Sequence, residues 1–347
     1  MKAASLTSLA HIEIEERTIP VPGDSEVLVK IEYCGICGSD AEFFEQGHIG
    51  TRVVNYPLIL GHEAAGEIVA AGSAVRDRTI GEKVVIEPGI PCGHCEYCRQ
   101  GRYNICRDMK FLSCPPNDGL FAEYVAVPAN TVFPLPEGMT TITGALMEPL
   151  AVGMHAVRTG NVEAPKTVVI LGSGCIGLCT LLCARMRGAS RIIVSDLFEK
   201  RLKLAKELGA DEIVDASKCN SQEEILRLTK GEGADVVFET AGNPITTAET
   251  SWIARRGGTI VIVGNVQGDV PFRFRNLCTA EIELKTTKRY CNDFEPCLTA
   301  IATGLIPVTA LDRIVDRIYP LDDIQEAFTE FIGNKKDLTK IVIKVKR

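Results

Sequence analysis

Val168-Val169-Ile170-Leu171-Gly172-Ser173-Gly174-Cys175-Ile176-Gly177 decides the fold of one half of this chain. An apolar, largely β-branched run breaks into a GxGxxG turn, and a helix-compatible stretch follows to about Arg187. Strand, glycine turn and helix in that order open a βαβ unit of the dinucleotide-binding type. The first glycine permits the turn, the second lets a pyrophosphate approach the backbone, and the third lets helix and strand pack closely. The helix N-terminus then faces the phosphate charge. Gly172, Gly174, Ile176 and Gly177 are therefore candidate cofactor-binding residues. The region from Val168 to Met186 is nearly free of charge and could pass for a membrane span. Its interrupting glycines and its β-rich first half argue instead for a buried strand–turn–helix.

The alternation continues downstream. Arg191–Ser195 reads as a strand followed by a helix through Glu207, and Asp235–Glu239 and Thr259–Gly264 read as further strands. Short apolar runs alternating with helical stretches from about 153 to 287 imply a parallel sheet with helices on both faces. Asp196 ends the strand that follows the glycine turn. A carboxylate there accepts both hydrogen bonds of an adenosine ribose diol and repels a 2′-phosphate, which predicts NAD over NADP. Arg201, on the next turn-and-helix segment, is a candidate to pack on the adenine; the alternative is a solvated helix face.

The other half reads differently. Residues 1–150 are strand-rich, with Val27–Ile31 and Lys83–Ile86 as β-branched runs between turn residues, and they predict a barrel-like β domain with long functional loops. Within it stands Gly61-His62-Glu63-Ala64-Ala65-Gly66, with Gly72 and Val75 beyond. Gly66 and Gly72 bracket a short apolar strand and predict a tight turn on either side of it. Cys37 lies upstream in CGICGSD and Glu148 downstream in MEPLAVG. One thiolate, one imidazole and two carboxylates suit a zinc ion with an open position for a substrate oxygen. Leu321–Phe328 has helical apolar spacing with Asp322 or Asp323 as cap, and Ile341–Val345 reads as a closing strand.

Cys92, Cys95, Cys98 and Cys106 follow C-x2-C-x2-C-x7-C. Four thiolates this close can wrap one tetrahedral zinc; such a site is closed and therefore structural. Two disulfides and an iron–sulfur cluster are the alternatives, and His94 is a further ligand by type. The remaining nine cysteines outside these two groups read as small buried hydrophobes in a reducing cytosol, which predicts a cytoplasmic protein. The net charge of −7 disfavours nucleic acid and anionic membrane as partners, since both need basic patches. The N-terminus turns acidic within MKAASLTSLAHIEIEE and makes a poor secretory signal. His155 reads as structural. Arg273 and Arg275 in VPFRFRN read as a solvated strand face or as a phosphate clasp.

Taken together, CGICGSD, GHEAAGEIVAAGSAV, GEKVVIEPG, FLSCPPNDG, EPLAVGMHA, GSGCIG and KRYCN give the chain a resemblance that runs nearly end to end. It resembles the zinc-containing medium-chain dehydrogenase/reductase family, and within it the polyol branch of sorbitol (L-iditol 2-) dehydrogenases. That resemblance implies a GroES-like, mainly β catalytic domain over 1–152 and 288–347 and a Rossmann domain over 153–287. It places Cys37, His62 and Glu63 at the catalytic zinc ligand positions and Glu148 where a carboxylate contacts the zinc or its water. Whether Glu63 or Glu148 is the direct ligand is left open. It puts Ser39 beside the reacting oxygen and Asp40 on the other nitrogen of His62. Phe43, Phe111, Arg289 and Tyr290 fall at substrate positions, and Val263, Gly264 and Asn265 at the nicotinamide end. Two positions depart from the pattern: Phe43 stands where many polyol enzymes carry tyrosine, and Glu42 where broader relatives carry a histidine proton relay.

The implied activity is oxidation of a secondary hydroxyl of a sorbitol-, xylitol- or L-iditol-type polyol to the ketose. Hydride passes to NAD, with one catalytic and one structural zinc, in a homo-oligomer that is tetrameric by resemblance. Threonine dehydrogenase and simple alcohol dehydrogenase are the alternatives within the family. A nucleotide-binding regulator with two structural metals is the alternative outside it.

Overall fold

A computed structural model describes residues 1–346. The chain forms two compact units. One comprises Met1–Glu148, Phe294–Ala302 and Pro307–Arg347; the other comprises Pro149–Asp293 and Thr303–Ile306. Residues 149–152 and 303–306, expected with the first domain, lie with the second, and so do residues 288–293. The physical reason is Asp293, fully buried, which accepts hydrogen bonds from His155 and Arg158 of the helix Met147–Thr159.

The first unit is built on a seven-stranded sheet. Its order is Val132–Pro134, Lys83–Ile86, Glu63–Ala71, Glu26–Gly35, Lys340–Lys344, Val315–Pro320, with Tyr124–Pro128 also paired to Glu26–Gly35. The C-terminal strand thus joins the N-terminal part of the chain, with Ile343 opposite Cys34. Gly66 lies inside the strand Glu63–Ala71 rather than at a turn beside it. A Cβ there would meet the Lys30 carbonyl oxygen at 2.1 Å, so glycine is required by the close approach of two strands. Gly72 likewise backs onto the Gly23 carbonyl, at 2.0 Å from an added Cβ. Phe44, Phe121 and Phe328 form an aromatic cluster, with Phe328 5.1 Å from Phe44 and 5.9 Å from Phe121, that fixes the helix Ile324–Gly333 to the core. That helix starts after a 3₁₀ turn, Leu321–Asp323, and Asp323 makes no side-chain cap bond.

The second unit is a six-stranded parallel sheet in the order Glu212–Asp215, Arg191–Asp196, Thr167–Leu171, Ala234–Glu239, Ala254–Ile262, Glu283–Thr286. Val168, Val169 and Ile170 are fully buried, as a central parallel strand requires. The strand order reverses on either side of Thr167–Leu171, and ligands of such sheets bind at the carboxyl ends there. The apolar region after Val168 is a strand ending at Leu171 and a helix, Cys175–Met186. Among the described residues no helix is long and apolar enough to cross a membrane.

Two expectations are corrected here. VPFRFRN is not a strand: a helix, Phe274–Ala280, begins there, and Arg273 stacks on Trp252 at 4.0 Å. Cys219 and Cys278 are exposed and Cys175 is half-buried; the other six scattered cysteines are buried. Cys219 sits between Lys218 and Asn220, polar neighbours that keep that turn at the surface.

Candidate active site

Cys37 sits immediately before the helix Gly38–Gln46, and Asp40 bends back to accept the Cys37 N–H at 3.1 Å. Asp40 is fully buried and also accepts from Gly61 N at 3.1 Å and Ser113 Oγ at 2.7 Å. Its Oδ1 lies 3.3 Å from His62 Nδ1, close enough for strong charge interaction but off hydrogen-bond alignment. Burial works against an imidazolium at His62, yet Asp40 and Cys37 outweigh it and raise its proton affinity well above the ordinary value. The Asp40 carboxylate beside the imidazole places negative charge at this pocket, which suits a cation. Cys37 Sγ, a His62 ring nitrogen and a Glu63 oxygen lie within 4.8 Å of one another. Thiolate, imidazole and carboxylate are a zinc donor set, so the residues fit the ion. Gly35 completes the cradle, since a Cβ there would meet Glu63 Oε2 at 2.2 Å.

Glu148 is buried in the first turn of the helix Met147–Thr159 and is not a member of that three-residue group. Ser39 lies on the helix turn after Cys37, half-buried. Phe111 lies 5.4 Å from the His62 ring, and both Phe111 and Phe43 are buried in the hydrophobic core of the first unit. One site residue was not anticipated. Lys340 places Nζ 2.6 Å from Glu63 Oε2 and 3.0 Å from the Ile36 carbonyl. A lysine at the head of an apolar strand carries no local signal of burial; an unpaired one would be too costly to bury, and Glu63 is its partner.

The four sulfurs of Cys92, Cys95, Cys98 and Cys106 lie within 4.8 Å of one another. Neighbouring sulfurs stand 3.5 to 4.0 Å apart and all are free thiols, which rules against the disulfide alternative. Backbone N–H groups of Cys92 and Cys95 point at Cys106 and Cys92 sulfurs at 3.4 Å, as around thiolates. The Cys95 thiol is drawn below its ordinary value, first by a backbone hydrogen bond from Cys98. His94 and Asp108 also approach Cys92, but both are exposed.

In the second unit the glycine turn has its expected geometry. Gly172 has φ +97°, and a Cβ on Gly177 would meet the Gly172 carbonyl at 2.0 Å. The space around Gly174 is open, with Arg201 Nη1 at 3.9 Å from an added Cβ. Ile176 lies in the first turn of the helix Cys175–Met186, and the hydroxyl of Ser173, in the glycine turn before that helix, is buried with no partner. Asp196 accepts Ser173 N at 2.6 Å and Phe198 N at 3.0 Å, which locks the carboxylate at the strand end. Arg201 stacks on Phe198 at 5.1 Å. These features fit a dinucleotide. Val263 and Gly264 donate to the Glu239 carbonyl at 2.9 and 3.0 Å, and Asn265 follows, exposed. Arg289 adopts φ +53° and Asn292 φ +58°, and they flank the buried Tyr290. Cys291 N donates to Asp293 at 2.9 Å and so pins this strained loop, while His155 has the structural role expected of it.

A zinc-type donor set on a β unit and a dinucleotide turn on a parallel sheet define a zinc-dependent dehydrogenase, and comparison with known proteins agrees. Residues 23–137 match the alcohol dehydrogenase GroES-like domain and residues 175–303 the zinc-binding dehydrogenase domain. The chain belongs to the zinc-containing medium-chain dehydrogenase family and is an oxidoreductase. It is 44% identical over 336 residues to an uncharacterized zinc-type alcohol dehydrogenase-like protein of Escherichia coli, covering 96% of each chain. It is 38% identical to a sorbitol dehydrogenase of Bacillus subtilis, covering 99% of this chain and 97% of that one. A zinc-binding dehydrogenase of Sinorhizobium meliloti, solved with NADP, is 34% identical with a TM-score of 0.91, covering 99% of each chain.

Proposed function

We propose that this enzyme oxidises a secondary hydroxyl of a polyol to the ketose, with NAD as hydride acceptor. The observation that carries the chemistry is the buried Cys37–His62–Glu63 group, whose ligand atoms lie within 4.8 Å of one another beside Asp40. The polyol class is supported by the relation to a sorbitol dehydrogenase. NAD is preferred because the Asp196 carboxylate stands where a 2′-phosphate would have to be accommodated; the NADP of one relative is that protein's own.

When bound, zinc supplies Lewis-acid stabilisation of a deprotonating hydroxyl and the nicotinamide supplies the hydride acceptor. The protein's residues do the rest. Cys37 and His62 would hold the metal, with Glu63 or Glu148 as the carboxylate. Asp40 sets the charge around His62. Ser39 takes the hydroxyl proton and passes it outward, and Glu148 assists as base. Arg289 and Tyr290 orient the remaining hydroxyls, and Phe111 and Phe43 provide the apolar wall. The structural zinc is held by Cys92, Cys95, Cys98 and Cys106. The enzyme works in the cytoplasm as a homo-oligomer, a tetramer by analogy with its relatives.

The test is reduction of NAD, followed by the absorbance of the reduced nicotinamide, against polyols, threonine and simple alcohols. Turnover of polyols, and a loss in Arg289→Leu that grows with substrate length, are expected. A response to threonine or simple alcohols alone would assign the rival activities. No response to any compound would favour a regulator.

A further inference from the structure

Glu239 is the last residue of the strand Ala234–Glu239, next to the reversal point of the parallel sheet, and its side chain is fully buried. Oε1 accepts three hydrogen bonds: from Ala241 N at 3.0 Å, Gly242 N at 2.9 Å and Thr246 Oγ1 at 2.8 Å. All three donors belong to the loop and helix that follow this strand. Oε2 is buried and has no hydrogen-bond partner. It faces the next loop instead, since a Cβ added to Gly264 would meet Glu239 Oε2 at 2.6 Å and Gly242 N at 2.3 Å. The two loops are in close register elsewhere too: a Cβ on Gly242 would meet the Asn265 backbone oxygen at 3.2 Å and nitrogen at 3.3 Å. One carboxyl group therefore fills the seam between the loop at Thr240–Asn243 and the loop at Val263–Asn265.

A buried carboxyl with one oxygen saturated and the other unpaired is costly, and a hydrophobic side chain would close the sheet end without that cost. What a hydrophobic side chain could not do is satisfy the two backbone N–H groups of Ala241 and Gly242 while leaving Gly264 free to close against them. We infer that Glu239 is the positioning residue for the nicotinamide half of the cofactor, holding the two loops in the register that its binding requires. This rests on the dinucleotide reading of the second unit. The residue makes no bond to the adenosine half, which falls to the Gly172–Gly177 turn and Asp196.

The chemistry of the group narrows the requirement. Burial pushes the carboxyl above its ordinary range, against the donors from Thr246, Asn243, Ala241 and Gly242 that pull it down. What the loop needs is the acceptor oxygen at the end of a side chain of this length, and the negative charge is dispensable. A glutamine presents the same oxygen; an aspartate keeps the charge but falls one methylene short.

The experiment measures dissociation constants of the full-length, zinc-replete protein for NADH and for AMP, in wild type, Glu239→Ala, Glu239→Asp and Glu239→Gln. Expected are a weakening of NADH binding by about tenfold or more in the Ala and Asp variants, with AMP affinity unchanged, and near wild-type NADH affinity in the Gln variant. A purely structural role would weaken AMP and NADH alike. Equal losses for the two ligands, wild-type NADH affinity in Glu239→Ala, or a Gln variant as weak as Ala would each overturn the inference. Should Glu239→Ala not fold, the Asp and Gln pair decides alone: rescue by Asp and not Gln would make charge the requirement and refute it. Wild type that binds neither NADH nor NADPH would overturn the dehydrogenase reading and this inference with it. Wild type that binds NADH as tightly as every variant would overturn the inference alone.

Discussion

Lys340 Nζ lies 2.6 Å from one Glu63 carboxylate oxygen and 2.9 Å from the other, and both side chains are buried. The carboxylate beside His62 is thus held from behind by a lysine 277 residues further along the chain. A cation placed among Cys37, His62 and Glu63 would share that carboxylate with the ammonium group. The geometry therefore gives Glu63 two partners to balance, and it leaves Glu148 outside the three-residue group.

Lys340→Met removes one member of this pair and leaves the Glu63 charge buried. After mild chelation the variant should lose about 3–5 kcal/mol of stability in urea unfolding, the usual cost of breaking a buried ion pair. Zinc-replete protein should lose clearly less, because the metal then faces the same carboxylate. Equal losses in both forms would mean that Glu63 does not face the metal site.

The two metal groups should differ in lability. The Cys37 group offers three donor atoms and the cysteine lobe four, and a four-thiolate set closes around its ion. Metal analysis during mild chelation should show activity falling before the far-ultraviolet circular dichroism changes. Cys106→Ser should lower zinc content by one ion per chain and loosen the lobe, detectable as faster proteolysis within it. Unchanged zinc content in that variant would remove the structural assignment.

Asp196→Ala should shift discrimination between NAD and NADP by about 1–3 kcal/mol, as for a charge-assisted contact. Both Asp196 oxygens also accept backbone N–H groups, from Ser173 and Phe198, so absolute affinity for both coenzymes should fall as well. The ratio of kcat/KM for the two coenzymes is the measurement. A wild type that already favours NADP would contradict the reading of this strand end.

Glu32 supplies a pH-dependent contribution to stability. Burial would raise its pKa, but hydrogen bonds from Lys346, Lys83 and Thr141 win and hold it at about 2. Its folded value is depressed, so its contribution is present above the ordinary carboxylate pKa of 4.5 and is lost as pH falls toward about 2. Glu32→Gln should flatten the pH dependence of the urea midpoint in that window. Parallel wild-type and variant profiles would show that these bonds do not distinguish the two protonation states.

The legible parts of the site were those whose chemistry is written in short spacings. Cys92, Cys95, Cys98 and Cys106 fall within one loop, and the ligand grouping follows from the chain's short reach. Gly172, Gly174 and Gly177 sit in one turn between a strand and a helix, and a side chain at Gly177 would strike the backbone of the same turn. Gly66 reads as a turn residue in the sequence because a glycine demanded by a neighbouring strand looks, along the chain, the same as a glycine demanded by a turn.

From the sequence alone came the two kinds of architecture, the zinc donor types, the four-cysteine lobe and the dinucleotide turn, since each depends on periodicity or on residues a few positions apart. Only the tertiary structure paired Lys340 with Glu63, brought His155 and Arg158 to Asp293, and set the Glu239 carboxyl between two loops. Those relationships join distant segments or depend on how neighbouring loops fold back. Burial drives them: a charged or polar group withdrawn from water must find a partner, and which partner it finds is settled by the packing of the whole unit.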